Sequence, residues 1–589
     1  MFNIKGDYPC CFVLLGWLMA FGVACPEVCS CVGESYTYCD NANLTDDDIP
    51  GILKNVPTKV TYLDFSDNQL TRVHDNMFLG LNELTVVDLS YNEIESLTTR
   101  NFRTLLNIQR IHLYHNNISR LENQTFWFLP KLEFVDLSFN KIAFIDYCAF
   151  SSTANLEKIL LNHNALTNVS DSMLASLLTL THLDLADNLI NVITPSAFSH
   201  LIHLQTLNLN NNSLNNIEMD TFTGMSLLEH LYLEFNNISV INKYSFQSSK
   251  LTLKSIHLSH NRLRTIETLV FRGAQSLTKV HLDHNNISTI ESGSFGGLSL
   301  DILDLQNNYL TEITNSIFSS CRKIGSLNLS HNLISVINTR SFDSFKEYVY
   351  NIDLSYNSLT SVLDGVFDHM QYLQSLSLAN NSISFIEDSS LSDLRNLKSL
   401  DLSWNRLSSC TAATFSGLET IINLHLQYNP LIMFSHPDYS SRLSNINVHL
   451  NLTVAGLSAD SAVIRWPYKD GYQIYWSRYV ICINSEQCPF RPQPEFLAAY
   501  ETEVTLKGLQ SDSVYYVCVN PAFKSENIRI NQCLFFRTSK EILVTTSPMQ
   551  NVSADATSGM SLMFDLKRIL TLLFIILVSS RGLTVHYIV

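Results

Sequence analysis

Leu132-Glu133-Phe134-Val135-Asp136-Leu137-Ser138-Phe139-Asn140-Lys141-Ile142 reads L-x-x-L-x-L-x-x-N-x-L, with Val135 and Ile142 in leucine places. The same frame recurs along the chain. Its asparagine returns at Asn68, Asn92, Asn116, Asn140, Asn164, Asn188, Asn212, Asn236, Asn261, Asn285, Asn308, Asn332, Asn357, Asn381, Asn405 and Asn429, in steps of 24 residues with occasional 23s and 25s. Ten residues after it most repeats carry a phenylalanine: Phe78, Phe102, Phe126, Phe150, Phe198, Phe222, Phe246, Phe271, Phe295, Phe318, Phe342, Phe367 and Phe415, with Leu174 and Leu391 standing in twice.

Each repeat reads as a short strand, a turn and a looser return leg. Alternate strand residues face opposite sides, so the second and third leucine places point inward and the residues between them line an outer sheet. The asparagine amide sits at the strand end, where it can bond backbone groups of neighbouring turns that would otherwise be buried without partners. The phenylalanines stack on the return side. One repeat cannot bury its own apolar face, so stability requires neighbours. This period and frame resemble the leucine-rich repeat. The resemblance implies an α/β solenoid, a curved horseshoe of about sixteen repeats over residues 60–432 with a parallel concave sheet. At about 4.8 Å per strand that sheet is roughly 70 Å along its arc, suited to gripping a protein rather than enclosing a metabolite.

The 589 residues carry a net charge of -16, which argues against a nucleic-acid partner. Lys5, the apolar run from Phe12 to Val23, and Gly22 and Ala24 at small-residue positions read as a secretory signal over residues 1–24. Sequons at Asn43, Asn117, Asn123, Asn168, Asn211, Asn237, Asn286, Asn328, Asn380, Asn451 and Asn551 fit a glycosylated extracellular chain.

Thirteen cysteines, of which Cys10 and Cys11 leave with the signal, give an odd mature number, so at least one thiol is unpaired within the chain. Cys25-Pro26-x-x-Cys29-x-Cys31…Cys39 resembles the N-terminal cap of extracellular leucine-rich-repeat proteins, here residues 25–59. The resemblance implies Cys25–Cys31 and Cys29–Cys39 bridges; an oxidising compartment favours these over zinc. Asn429-Pro430-Leu431 begins like the matching C-terminal cap, but its cysteines do not follow, so the downstream domain is expected to cover the last repeat. Cys321 and Cys410 occupy core positions and read as inert thiols. Cys148 is either a shielded free thiol or an intermolecular link.

From residue 449 to 540 the period gives way to alternating strands. Val463-Ile464-Arg465-Trp466, Leu506-x-x-Leu509 and Tyr515-x-Val517-x-Val519 resemble a fibronectin type III domain, an all-β sandwich with a core tryptophan and a tyrosine corner. Cys518…Cys533-Leu534-Phe535-Phe536-Arg537 is similar to the form found in neuronal proteins that join such a domain to leucine-rich repeats. That likeness implies a Cys518–Cys533 bridge, leaving Cys482 and Cys488 for a local one. Residues 541–568 read as a polar linker and 569–589 as a hydrophobic tail. Its apolar run, Ile569–Val578, is short for a membrane helix. Lys567 and Arg568 precede it, so a glycolipid-attachment signal fits better, with Asp555, Ala556 or Ser558 at the attachment site. Arg581 inside the tail fits that reading poorly. A single-pass span and a secreted product are the alternatives.

The outward strand positions form a central column: Asp64, Asp88, His112, Asp136, Leu160, Asp184, Asn208, Tyr232, His257, His281, Asp304, Asn328, Asp353, Ser377, Asp401 and His425. Its aspartates belong to the common L-D-L-S form of the repeat. In the middle, His230, Tyr232, Phe235, His257, His260, His281 and His284 crowd three successive strands and are candidate anchors for a protein partner. The bland alternative is a solvated strand surface. His257, His260, His281 and His284 come close enough to consider zinc, but surface histidines without a positioning second shell rarely hold metal, so no metal or cofactor is assigned. A glycan at Asn328 would obstruct repeat 12 and favour contact over roughly repeats 2 to 11. No G-x-S-x-G elbow, phosphate-cradling glycine loop or HExxH helix is present, so no catalysis is expected.

The expectation is a cell-surface adhesion or recognition protein, glycolipid-anchored or single-pass, binding an extracellular protein or a second copy of itself. In its tail it resembles insect-type glycolipid-anchored leucine-rich-repeat adhesion proteins, chaoptin and connectin among them. An innate-immune receptor or co-receptor ectodomain and a secreted matrix protein are the alternatives.

Overall fold

The computed structural model describes residues 25–410 and 413–429 continuously, and beyond them segments 433–434, 447–449, 453–458, 461–465, 475–482, 495–497, 503–507, 514–522 and 533–537. The signal segment 1–24, the linker and tail 541–589, Asn451, Asn551, Asp555, Ala556, Ser558 and Cys488 lie outside the described residues, as do the side chains of Cys410, Cys482, Cys518 and Cys533.

Sixteen three-residue strand cores, from Tyr62–Asp64 to Asn423–His425, pair in parallel, each in register with the next. Phe134↔Lys158 and Lys158↔His182 typify the one-repeat offset. In almost every strand the middle residue is buried and its neighbours are partly exposed, as in Phe134–Asp136. An antiparallel hairpin, Ser30–Val32 with Tyr36–Tyr38, starts the sheet, and Tyr36–Tyr38 pairs in parallel with Tyr62–Asp64. Bridges Cys25–Cys31 and Cys29–Cys39 tie this cap. At the far end Asn447–His449 continues the sheet beside Asn423–His425, making nineteen strands. Ser299–Asp304 and Lys323–Asn328 are longer, with six residues each. The second contains Gly325, where a Cβ would stand 2.8 Å from the Tyr350 ring and 2.9 Å from the Asp301 carbonyl oxygen.

Each repeat asparagine makes the same bonds. Asn140 accepts from the Ile118 N–H at 3.0 Å and donates to the carbonyls of Leu113 at 2.9 Å and Leu137 at 3.1 Å, joining two repeats through buried backbone groups. One apolar core runs from Cys39 to Leu426. Within it the phenylalanines stack from Phe78 to Phe150 and again from Phe198 to Phe367, with ring centroids 5.2 to 6.3 Å apart. The spine breaks at Leu174.

The expected α/β class is corrected here: the solenoid is built of strands and turns. Among the described residues helix is limited to Ile49–Leu53 in the cap, Asp171–Leu174 and a 3-10 turn at Ala413–Phe415. The return legs are interrupted by left-handed residues such as Gln124, Cys148, Tyr244 and Leu269, with φ of 61°, 64°, 65° and 77°, which a right-handed helix cannot contain. Seven parallel strand pairs form on that side instead, among them Arg120–Leu121 with Phe144–Ile145. They couple repeats two by two.

Two further sheets follow. Thr453–Leu457, Ser461–Arg465 and Glu503–Lys507 form an antiparallel three-stranded sheet. Glu495–Leu497, Tyr475–Cys482, Val514–Ala522 and Cys533–Arg537 form an antiparallel four-stranded one in that spatial order, with Cys518 opposite Cys533. Among the described residues no helix is long and apolar enough to cross a membrane.

Candidate functional site

The register aligns the central column strand by strand: Asn208↔Tyr232, Tyr232↔His257, His257↔His281 and His281↔Asp304. Strands about 4.8 Å apart hold flat side chains at stacking distance. Tyr232 lies over His257 and His257 over His281, with centroids 4.6 Å apart in both pairs.

A second column runs beside it. The residue before every repeat asparagine is left-handed, with φ between 51° and 58° from Asp67 to Tyr428. That conformation is uncommon for bulky residues. Here it is held by backbone bonds to the next repeat, such as the Phe235 N–H to the Ser259 carbonyl at 3.1 Å. Phe235 stacks on His260 at 4.2 Å and His260 on His284 at 4.1 Å. Of the seven candidates, six thus form two adjacent three-ring stacks. His230 stands apart, its Nδ1 2.9 Å from the Ser255 hydroxyl.

The same column carries a four-ring stack that the central-column reading missed: Tyr91–His115–Phe139–His163, with centroids 4.4, 4.2 and 4.1 Å apart. His331–Tyr356 at 4.1 Å and Trp404–Tyr428 at 3.9 Å extend the pattern. The signal was available one residue before each asparagine.

Electrostatics differ between the columns. Glu234 lies 3.6 Å from His257 Nδ1 and receives Asn210 Nδ2 at 2.8 Å. The His257 hydrogen bond holds the Glu234 carboxyl below its usual range. Burial pushes the imidazoles of His281 and His230 down, favouring their neutral forms. Burial, with the Asp283 charge behind it, pushes Asp304 up to about 6.

The four histidines considered for zinc split between the two columns. Groups of metal-ligating atoms within 4.8 Å of one another arise instead with carboxylates: His260, Asp283 and His284, and separately His281, Asp283 and Asp304.

Asn328 ends its strand half-buried, its Nδ2 donating to Gln306 Oε1 at 3.2 Å and its Oδ1 accepting from the Ser330 hydroxyl at 2.8 Å. The sequon asparagines Asn43, Asn123, Asn168, Asn211 and Asn286 are exposed, whereas Asn117, Asn237 and Asn380 are half-buried. Cys321 is buried, with its thiol pushed up to about 11 by that burial. Cys148 is a half-buried free thiol.

The leucine rich repeat family pattern matches residues 82–142, 154–214, 202–252, 251–310, 299–347 and 347–407, more than half of the chain. The chain belongs to the leucine-rich repeat family. As such it is a binding scaffold and not an enzyme. Tsukushi from Gallus gallus is 33% identical over 99 residues, 16% of this chain and 27% of that protein. Opticin from Homo sapiens is 37% identical over 89 residues, 15% of this chain and 25% of that protein. The chain therefore spans only about a quarter of the length of these relatives. The solved Toll–Spatzle complex from Drosophila, in its glycosylated form, aligns with TM-score 0.58 and 20% identity over 70% of this chain and 60% of that one. The likeness is one of fold. A looser match, at TM-score 0.36 and 22% identity over 74% of this chain and 76% of that one, is the TLR13–ssRNA13 complex.

Proposed function

We propose that the protein acts outside the cell as an adhesion or recognition molecule, gripping a protein partner along the concave sheet. The observation that carries this reading is the pair of adjacent stacks, Tyr232–His257–His281 and Phe235–His260–His284, on successive strands. Rings already stacked on their neighbours lose little rotamer freedom on docking, and aromatic groups of this kind make good interface anchors. That Toll, a protein of similar fold, has been solved with Spatzle supports a protein as the class of partner. The net charge of -16 is the ground for proposing that the partner is not nucleic acid.

The paired cap cysteines support export to an oxidising compartment. A fibronectin type III domain after the repeats is supported by the three-plus-four division of antiparallel strands and by Cys518 facing Cys533 in the register. The proposed anchor is a glycolipid near Asp555, Ala556 or Ser558. Phospholipase treatment releases the protein from cells on this reading; a product retained by the membrane, or found only in the medium, rejects the anchor.

The function is tested by screening the ectodomain against extracellular proteins and against itself. A saturable hit weakened by Tyr232→Ala and Phe235→Ala supports the concave site. A hit indifferent to both places contact elsewhere, and cells whose aggregation does not change on expression speak against homophilic adhesion.

A further inference from the structure

We propose that two copies of the chain pair through one flank of the solenoid, along the residues that stand ten places before each repeat asparagine. The inference is independent of which partner the concave sheet grips. In that column Leu106, Pro130, Ala154, Leu178, Ile202 and Leu251 follow repeat after repeat, with Ser226 interrupting once. Leu106, Leu178, Ile202 and Leu251 are 47 to 63% exposed. Trp127 and Phe128, two exposed rings 5.6 Å apart, precede Pro130 and widen the stripe.

The fold does not require apolar residues here. Further along the chain the same column reads Gln371, Arg395 and Glu419, all exposed. Their backbone is held as in the apolar half. Asn396 Nδ2 donates to the Gln371 carbonyl at 2.6 Å and the Thr420 hydroxyl to the Arg395 carbonyl at 2.9 Å. Asn155 does the same to Pro130, and Ser276 to Leu251, both at 2.7 Å. With these carbonyls taken up by the next repeat, the apolar half presents mainly hydrocarbon to solvent. A contiguous exposed patch of this kind marks an interaction surface.

Charge, sequons and residue order commit the stripe to a second copy. The chain carries a net charge of -16, so self-association is resisted wherever carboxylates face each other. This column and the one after it, from Leu106 to Ser276, contain no Asp or Glu. Neither column holds a sequon: within the repeats, sequon asparagines fall between four places before a repeat asparagine, at Asn328, and seven after one, at Asn123. The order of residues is self-complementary. A two-fold axis at Leu178, crossing the column at right angles in the contact plane, sets Leu106 of one copy against Leu251 of the other. It also sets Ala154 against Ile202, small against large, and Phe128 against Gly224, which has no side chain. At the ends Asn82 falls opposite Gln275, where the two amides can bond. From Asn82 to Gln275 the stripe is roughly 40 Å long at about 4.8 Å per repeat. At a width of about 15–20 Å it offers roughly 600–800 Å2 per copy, near the 800 Å2 or so that each partner of a specific complex buries. The concave sheets stay uncovered, so partner binding there is unaffected by the pairing.

The test is sedimentation velocity over a range of concentrations on glycosylated protein expressed from the full chain in animal cells. A dimer is expected, weakened at least tenfold by Leu178→Asp and by Leu178→Arg and unchanged by Arg395→Ala, in the same column beyond the contact. Because Leu178 lies on the axis and meets its own copy, an equal mixture of the Leu178→Asp and Leu178→Arg proteins should dimerise more tightly than either alone. That recovery also shows that both variants are folded. A protein monomeric at every concentration overturns the pairing and leaves the stripe to a different partner. A dimer indifferent to both Leu178 variants, or one weakened by Tyr232→Ala instead, rejects the flank. No recovery in the mixture, with circular dichroism unchanged, rejects the two-fold placement and the proposal with it.

Discussion

Phe235 and His260 lie face to face on adjacent repeats, ring centroids 4.2 Å apart and planes 9° from parallel. Neither ring belongs to the apolar core, and Phe235 is 53% exposed. Their contact is repeated along the same edge by rings that share only a position one residue before an asparagine. An exposed stack of this kind adds about 0.5–1.5 kcal/mol per pair, so stability alone does not account for leaving the rings in water. Phe235→Ala should lower the melting temperature slightly while weakening partner binding by at least about 1.4 kcal/mol, or tenfold. Leu251→Ala, more exposed but outside the stacks, should leave binding unchanged in surface plasmon resonance.

Asn236 holds two repeats together: it accepts from the Leu214 N–H at 3.0 Å and donates to the Leu209 carbonyl at 2.9 Å. Asn236→Ala leaves both groups buried without these bonds. The expected cost is roughly 2–4 kcal/mol, read by denaturant unfolding. Because repeats contact only their neighbours, hydrogen exchange should quicken in the adjoining repeats and not in the cap.

Phe222 is packed between Phe198 and Phe246 at 6.3 and 5.9 Å. Phe222→Ala should cost about 3–5 kcal/mol by thermal or chemical denaturation, since its neighbours are strand- and turn-tied and cannot collapse into the hole. An equal loss from Leu251→Ala would show that the spine carries no special weight.

Asp184 lies in the central column, where burial pushes its carboxyl above the ordinary 3.8. A folded-state value above the unfolded one means that the native state holds the proton more tightly. Stability from this group is therefore present below pH 3.8 and is lost as pH rises through the folded value. Asp184→Asn should accordingly raise the melting temperature more at pH 7 than at pH 4. A gain that is the same at both would remove burial as the cause.

Cys29–Cys39 closes a ten-residue separation at the edge of the first strands. Replacing both by serine should cost about 2–4 kcal/mol. Hydrogen exchange should rise first at Tyr36–Tyr38 and Tyr62–Asp64 while the strands around Asn405 keep their protection.

Much of the scaffold was legible before any coordinates. The asparagine and phenylalanine periods named the buried ladder and the spine residue by residue, because each marks a place where backbone or ring must find a partner one repeat away. The central column followed from strand alternation. The α/β class was expected from family likeness, and the left-handed residues that keep helix out of the return legs, Gln124 and Tyr244 among them, carry no strong sequence mark. Of the edge column only Phe235, His260 and His284 were singled out, for a related reason. Alternation along a strand does not tell where a side chain goes once the chain turns left-handed, so nothing in it pointed to Tyr91, His115, Phe139 and His163.

The amino-acid sequence by itself determined the repeat, its number, its buried face and the cap, because these depend on local periodicity and on groups that must be satisfied at fixed spacing. The tertiary structure alone decided which surface residues meet. His260 and Asp283 are 23 positions apart in the chain and come together only because parallel strands in register set every repeat directly beside the last. Register across strands is a collective result of packing the whole core, and no single repeat contains it.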